Sequence, residues 1–354
     1  MTCKTIINEL KYEKLACFDL DFTLIKPSSG NKFPKSKDDW CWNYDSVPKI
    51  LRNYYENNYT IVVFTNQKNL KNYIDFKYKL DIITEKLNIP INYFISTSND
   101  KYRKPCNGMF IELENMYSCK IDIKASFYCG DACGRSCDFS DSDLLFAHNI
   151  QLPFILPEIA FEQNHSYILP ELKPHPLLNY TSNSNLEKEI LNKINVSLLN
   201  KHTCIINIGI QASGKSFFSN NISNLFSTFN ILNNDTFKNK IKLQTKFKKL
   251  VEQQANIIID NTNPDCETRK YYVDILNEQN YNIIYVWFDL PLDVSLYLNN
   301  YRKQILNKNI PTVAYNIYKK KFNKPSLDEN IDSIIRIINV YGLREDSHIF
   351  NYLF

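Results

Sequence analysis

Two short clusters of residues carry the chemistry this chain offers. Near the N-terminus, Asp19-Leu20-Asp21-Phe22-Thr23 sets two carboxylates two residues apart. Past the middle, Gly209-Ile210-Gln211-Ala212-Ser213-Gly214-Lys215-Ser216 fits the pattern G-x-x-x-x-G-K-[ST]. In such a loop the backbone N–H groups converge on phosphate oxygens at a helix N-terminus. Lys215 adds a charge toward the β and γ phosphates, and Ser216 is a ligand for Mg²⁺. A nucleoside triphosphate, ATP, is the natural guest. Glycine placement supports the reading, because five of only seven glycines (Gly108, Gly130, Gly134, Gly209, Gly214) fall in phosphate-type segments.

The carboxylate pair suits the opposite task. The apolar run Leu15-Ala16-Cys17-Phe18 predicts a strand, which sends Asp19 and Asp21 out from its carboxyl end, where open α/β sheets place their sites. An aspartate there can take a phosphoryl group as nucleophile (Asp19), while a second acid (Asp21) protonates the leaving oxygen, with Mg²⁺ between them. Alone, D-x-D-x-T reads equally as an exposed acidic turn. Further pieces follow in order. A strand over Tyr59–Val63 runs on into Phe64-Thr65-Asn66-Gln67, so that Thr65 and Asn66 can hold a phosphate. Arg103-Lys104-Pro105 supplies cations. Phe127–Ala132 delivers Asp131 to the metal, and Asp138 in Cys137-Asp138-Phe139-Ser140 is a further candidate ligand.

These elements must sit on parallel sheets. Residues 1–165 alternate apolar strands with helical segments, as do residues 186–354, where strands are expected near 204–208, 229–233, 256–260 and 282–288. Pro170, Pro174 and Pro176 and the polar run ending at Asn185 mark 166–185 as a linker. The expected fold class is α/β: two sheet-and-helix domains in tandem.

With these residues in view the chain resembles the bifunctional polynucleotide kinase 3′-phosphatases of animal type. The likeness runs over most of the chain. It includes Lys32-Phe33-Pro34, Asp39-Trp40, Phe64-Thr65-Asn66-Gln67, Arg103-Lys104-Pro105 through Gly108-Met109, Gly130-Asp131-Ala132, Asp138-Phe139-Ser140 and Leu152-Pro153-Phe154. In the second half it includes the phosphate loop, Asn234-Asp235-Thr236 and Ile259-Asp260-Asn261-Thr262-Asn263-Pro264-Asp265. The resemblance implies a haloacid dehalogenase-like phosphatase domain followed by a P-loop 5′-kinase domain. It implies Asp19 as nucleophile, Asp21 as acid/base, Asp131 as metal ligand, Lys104 as phosphate clamp and Asp235 as the base that accepts the 5′-hydroxyl proton; Arg103, beside Lys104, is a further phosphate-binding candidate. Without the resemblance, a helix N-cap is a second, lesser reading of Asp235, one compatible with catalysis. A lid arginine is also implied, and Asn299-Asn300-Tyr301-Arg302-Lys303 offers Arg302. The motif begins by residue 19, so the forkhead-associated domain of the animal enzymes, and docking to phosphorylated scaffolds, are not expected. The order of domains, phosphatase first, favours DNA ends over RNA ends.

Composition excludes other classes. The chain has 354 residues, 44% of them hydrophobic, enough for two cores, and no apolar stretch of membrane-spanning length or secretory leader. Ten cysteines lack zinc-like spacing, which suits a reducing intracellular compartment, the nucleus or a cytoplasmic viral factory. The net charge of +4 is modest but uneven. Six lysines and no acid lie between Thr236 and Val251, and seven Lys or Arg and no acid between Tyr301 and Lys324. Such runs suit a phosphate backbone and a solvated helix face equally. Three readings follow: a monomeric end-healing enzyme that readies breaks for a ligase or polymerase; a fused small-molecule phosphatase and nucleoside or sugar kinase; and a non-catalytic end-binding relative. The last conflicts with the presence of every catalytic residue named above.

Overall fold

The structure is a computed structural model. It describes residues 2–354 apart from 69, 71, 165, 183, 200, 345 and 346. The chain forms two compact units, one of residues 1–173, 300–309 and 351–354, the other of 174–299 and 310–350. The change of unit at 173/174 falls inside the expected linker, whose position 183 lies outside the described residues. The stretches 300–309 and 351–354, expected in the second domain, cluster with the first unit. Gln304 Oε1 accepts from the Asn107 N–H at 3.1 Å and Asn149 Nδ2 donates to the Leu353 carbonyl at 2.7 Å.

In the first unit, β1 (Cys3–Ile6), β2 (Lys14–Phe18), β5 (Tyr59–Asn66), β6 (Ile91–Ser96), β7 (Phe127–Cys129) and β8 (Phe154–Ile155) form a sheet in the order β1-β6-β5-β2-β7-β8. Only the β1–β6 pair is antiparallel. A two-stranded ribbon, β3 (Ile25–Lys26) with β4 (Cys41–Trp42), follows the carboxylate motif. Because strand side chains alternate, β2 serves two cores: Ala16 and Phe18 enter one, Leu15 and Cys17 the other. With both faces covered by apolar packing, polar side chains are left the strand ends, and β2, β5 and β7 all end toward one rim.

The second unit repeats this logic with β9 (Thr203–Gly209), β10 (Phe229–Leu232), β11 (Asn256–Ile259), β12 (Asn282–Phe288) and β13 (Ser333–Ile337), all parallel in the order β10-β11-β9-β12-β13. Cys204, Ile206 and Ile208 of β9 face one core and Ile205 the other. The expected strands appear within a residue or two. β13 was not anticipated: its five residues include the exposed Arg336, and short strands give little periodicity. No helix among the described residues is long and apolar enough to cross a membrane.

The loop between β3 and β4 is organised by one carboxylate. Asp39 accepts from Ser28 Oγ (2.9 Å), Ser29 N–H (2.8 Å), Ser29 Oγ (2.7 Å) and Lys35 N–H (2.8 Å). These donors, led by the Lys35 N–H, hold its carboxyl well below the ordinary range. A depressed acid stabilises above its unfolded pKa and loses that contribution as pH falls through the folded value. The loop should therefore stay closed through mild acid. Asp39→Asn is expected to lose amide-exchange protection at Ser29 and Lys35 at neutral pH while β2 and β5 keep theirs; unchanged protection would show that the loop is held by something else.

Candidate active sites

The first site forms where β2, β5 and β7 end. The Asp19 N–H donates to the Cys129 carbonyl at 2.8 Å, which fixes the nucleophile candidate against β7. Asp19, 8% exposed, receives a hydrogen bond from Lys104 Nζ. The same ammonium, 4% exposed, donates to Asp143 Oδ1 at 2.7 Å and to Tyr128 Oη at 2.9 Å. Tyr128 Oη in turn donates to Asp143 Oδ1 at 2.8 Å, and the Ala132 N–H to Asp143 Oδ2 at 3.1 Å. Carboxylate oxygens of Asp19, Asp131 and Asp143 lie within 4.8 Å of one another.

Electrostatics follow from this crowding. Burial raises the Asp19 carboxyl well above its usual range; Lys104 opposes the rise, while Asp143, Asp131 and Asp21 add to it. Asp131 is pushed up to about 7 by burial and by Asp143, against Lys104. For Lys104, burial works to lower the ammonium, and Asp143 and Asp19 outweigh it, so it stays raised. Three carboxylates against one ammonium leave an excess of negative charge that a hard dication matches. Their oxygens are the donor type Mg²⁺ prefers, so the residues present fit that ion.

The remaining sequence candidates take distinct places. Asp21 accepts from Gln67 Nε2 at 2.6 Å, and the same amide donates to Thr65 Oγ1 at 3.0 Å. Asn66 exchanges two bonds with the Lys104 backbone, accepting its N–H at 3.0 Å and donating to its carbonyl at 3.2 Å, so Asn66 positions the lysine. Arg103 adjoins it, with one guanidinium nitrogen buried and unpartnered among the described residues. Asp138 was expected at the metal, but it is outside the three-carboxylate group. It accepts instead from the Cys133 and Arg135 N–H groups (3.0 and 3.1 Å) and from Arg135 Nε (2.9 Å). Arg135 also donates to the Asp131 carbonyl at 3.1 Å, so Asp138 shapes the turn that presents Asp131. Sequence reasoning missed Asp143. Its signal was Gly130, where an added Cβ would lie 2.6 Å from the Asp143 carboxyl carbon.

The second site begins where β9 ends. Gly209 leaves no room for a side chain, since a Cβ would meet Phe288 at 2.9 Å. Gly214 caps the helix Lys215–Leu225 at φ +91°, a left-handed conformation that favours glycine. Between them Ile210, Gln211, Ala212 and Ser213 form the loop, with Ala212 also left-handed at φ +57°. Gln211 Nε2 donates to the Ala314 carbonyl at 3.2 Å. Lys215 Nζ reaches back over the loop to the Gly209 carbonyl (2.9 Å) and Ser213 Oγ (3.2 Å), and Ser216 is exposed at the helix start. Asp235 follows β10, exposed on the short helix Asn234–Phe237. The N-cap reading does not hold for it: Asn233 is the cap, accepting from the Thr236 N–H at 2.8 Å. Asp260, quoted in the sequence without a role, is 7% exposed at the end of β11 and accepts from Asn207 Nδ2 at 3.2 Å. Arg302 lies in 300–309, which clusters with the first unit.

Gly130→Ala tests the first site's packing. The added methyl should displace Asp143 and lower phosphate-ester hydrolysis by about 100-fold, since misplacement near 1 Å costs that much. Nucleotide binding by the second unit should be unchanged. Wild-type hydrolysis in Gly130→Ala would remove Asp143 from the account.

Comparison with known proteins gives four findings. The family described as polynucleotide kinase 3 phosphatase matches residues 14–161. A bifunctional polynucleotide phosphatase/kinase of Schizosaccharomyces pombe is 31% identical over 331 residues, covering 92% of this chain and 79% of that protein. The polynucleotide 3′-phosphatase ZDP of Arabidopsis thaliana is 34% identical over 169 residues, 42% of this chain and 24% of that protein. Among solved structures, a fungal RNA kinase aligns with a TM-score of 0.33 at 18% identity, over 42% of this chain and 40% of that one.

Proposed function

The chain belongs to the bifunctional polynucleotide phosphatase/kinase family, and from that premise we propose that it heals broken DNA ends, with Asp19 and Asp235 as the reacting groups of its two sites. It is an enzyme with both activities, a polynucleotide 3′-phosphatase and an ATP-dependent polynucleotide 5′-kinase. The observation that carries the reading is the buried Asp19–Lys104–Asp143 cluster on a chain that also folds a complete phosphate loop.

In the first reaction Asp19 attacks the 3′-phosphorus, the bond to the sugar oxygen breaks, and Asp21 gives that oxygen a proton. Water, deprotonated by Asp21, then hydrolyses the aspartyl-phosphate and frees Asp19. Lys104 holds Asp19 in line and opposes the burial that favours its protonated form, and the unpartnered Arg103 nitrogen donates to a phosphate oxygen. Asp19 and Asp131 would hold Mg²⁺, whose positive charge would offset the transferring phosphate.

In the second reaction the loop N–H groups and Lys215 hold the β and γ phosphates of ATP, and Ser216 would hold the accompanying Mg²⁺; Asp235 takes the 5′-hydroxyl proton as that oxygen attacks the γ-phosphorus, the bond to the β,γ-bridging oxygen breaks and ADP leaves. Beginning three residues after Asp235, Lys238, Lys240, Lys242, Lys246, Lys248 and Lys249 are all exposed. Among the described residues none of the six has an acidic partner. A strand's phosphates satisfy such a track and a free nucleoside does not, which supports a polynucleotide over a small molecule. The order of domains supports DNA.

An oligonucleotide with a 5′-hydroxyl and a 3′-phosphate, incubated with the protein, Mg²⁺ and ATP, reports both ends by mass. Asp19→Asn should lose 3′-phosphate removal and keep 5′ phosphorylation. Lys215→Ala should do the reverse, losing a charge that contributes about 3–4 kcal/mol at the transition state. A DNA strand should outpace the matching RNA strand. Wild-type protein that changes neither end, or that acts equally well on mononucleotides, contradicts the reading.

A further inference from the structure

Arg269, on the helix Cys266–Glu278, is fully buried at 0% exposure. A guanidinium tolerates such a place only when its donors are satisfied. Its fork meets Glu329 in two parallel bonds, Nε to Oε2 and Nη2 to Oε1, both 2.8 Å. Nη1 donates to the carbonyls of Asn263 (3.1 Å), Pro264 (3.2 Å) and Asn323 (3.1 Å). Glu329 is itself fixed by Tyr285 Oη and by the Ser326 N–H, each at 3.1 Å. The fork is geometrically rigid, and a lysine ammonium cannot reproduce it.

What Arg269 pins is the segment that joins the two halves of the kinase site. The Gly209 N–H, at the entry of the phosphate loop, donates to the Thr262 carbonyl at 3.1 Å. Asn263 Nδ2 donates to the Asn207 carbonyl at 2.6 Å. On the other side the Asn234 N–H, one residue before Asp235, donates to Asn261 Oδ1 at 2.9 Å. Residues 261–264 thus bracket both the phosphate loop and the loop of the proposed base. Asn263 holds φ +41°, in the left-handed region that asparagine adopts more readily than other non-glycine residues.

We propose that Arg269 is a positioning residue of the 5′-kinase: held by Glu329, it fixes the carbonyls of Asn263 and Pro264 and so sets the spacing between the phosphate loop and Asp235. The proposal rests on the kinase reading of the second unit. Arg269 touches no reactant and acts through the backbone of 261–264.

The test uses the full chain as wild type, Arg269→Lys and Glu329→Gln. The number of ADP-binding sites and the ADP affinity are measured by titration calorimetry, and kcat for 5′-phosphorylation of an oligonucleotide is expressed per ADP site. Arg269→Lys should lower kcat per site by about 30-fold or more, with ADP affinity changed by less than about threefold, as expected for a displacement near 1 Å. Glu329→Gln, which keeps the carbonyl contacts, should lower it about three- to tenfold. A merely structural role would reduce the number of ADP sites and leave kcat per site unchanged, which overturns the proposal. If Arg269→Lys binds no ADP, Glu329→Gln decides by the same criterion. Wild-type protein that binds ADP but phosphorylates no 5′-hydroxyl would overturn the kinase reading itself.

Discussion

The buried ammonium of Lys104 is the interaction on which the first site depends. Without it, Asp19 and Asp143 would be two carboxylates removed from water and facing each other, and one would keep its proton. With it, both accept from a single donor, and Asp19 is held at the end of β2 by a side chain that Asn66 fixes through its own backbone. Breaking a buried pair by removing one partner typically costs about 3–5 kcal/mol, because it strands a charge. The cluster is therefore a packing constraint: Gly130, Tyr128 and the turn shaped by Asp138 all serve to fit it.

The two units solve opposite electrostatic problems on similar scaffolds. Both bury a parallel sheet on two faces and bring function to the carboxyl ends of strands. The second meets phosphate with a loop of N–H groups, a helix N-terminus and Lys215, so an anion is attracted directly. In the proposed reading the first places three carboxylates where a phosphate must go, and would depend on cations to offset them: Lys104 within the fold, Arg103 beside it, and a dication suited to the carboxylate oxygens. That difference explains why one site can be recognised by glycines and the other by acids.

Much of this was legible in the sequence because each motif follows an apolar run whose strand character sets the direction of its side chains. Asp19, Asp131 and Lys104 come together as such reasoning expects, and the phosphate loop has the required strand and helix on either side. What was not legible acts across the fold. Asp143 lies on a helix twelve residues beyond Asp131 and joins the site only through tertiary packing. Asp138 looked like a ligand because it is a carboxylate beside one, yet its lone pairs are taken by Arg135 and two backbone groups. Arg269 carries no motif; a buried arginine is visible only once its five partners are. The weak periodicity of β13 and the return of 300–309 to the first unit were hidden for the same reason, since both depend on contacts distant in sequence.

The central claim is that Asp19, held in line by Lys104, attacks phosphorus. It is tested most directly by acid-quenching the protein during turnover of a 3′-phosphorylated oligonucleotide, reducing any acyl phosphate with borohydride, and mapping the modified residue by mass spectrometry. The account predicts homoserine at position 19, and none there in Lys104→Ala. Modification at another carboxylate, or full turnover with no trapped residue at any quench time, would contradict it.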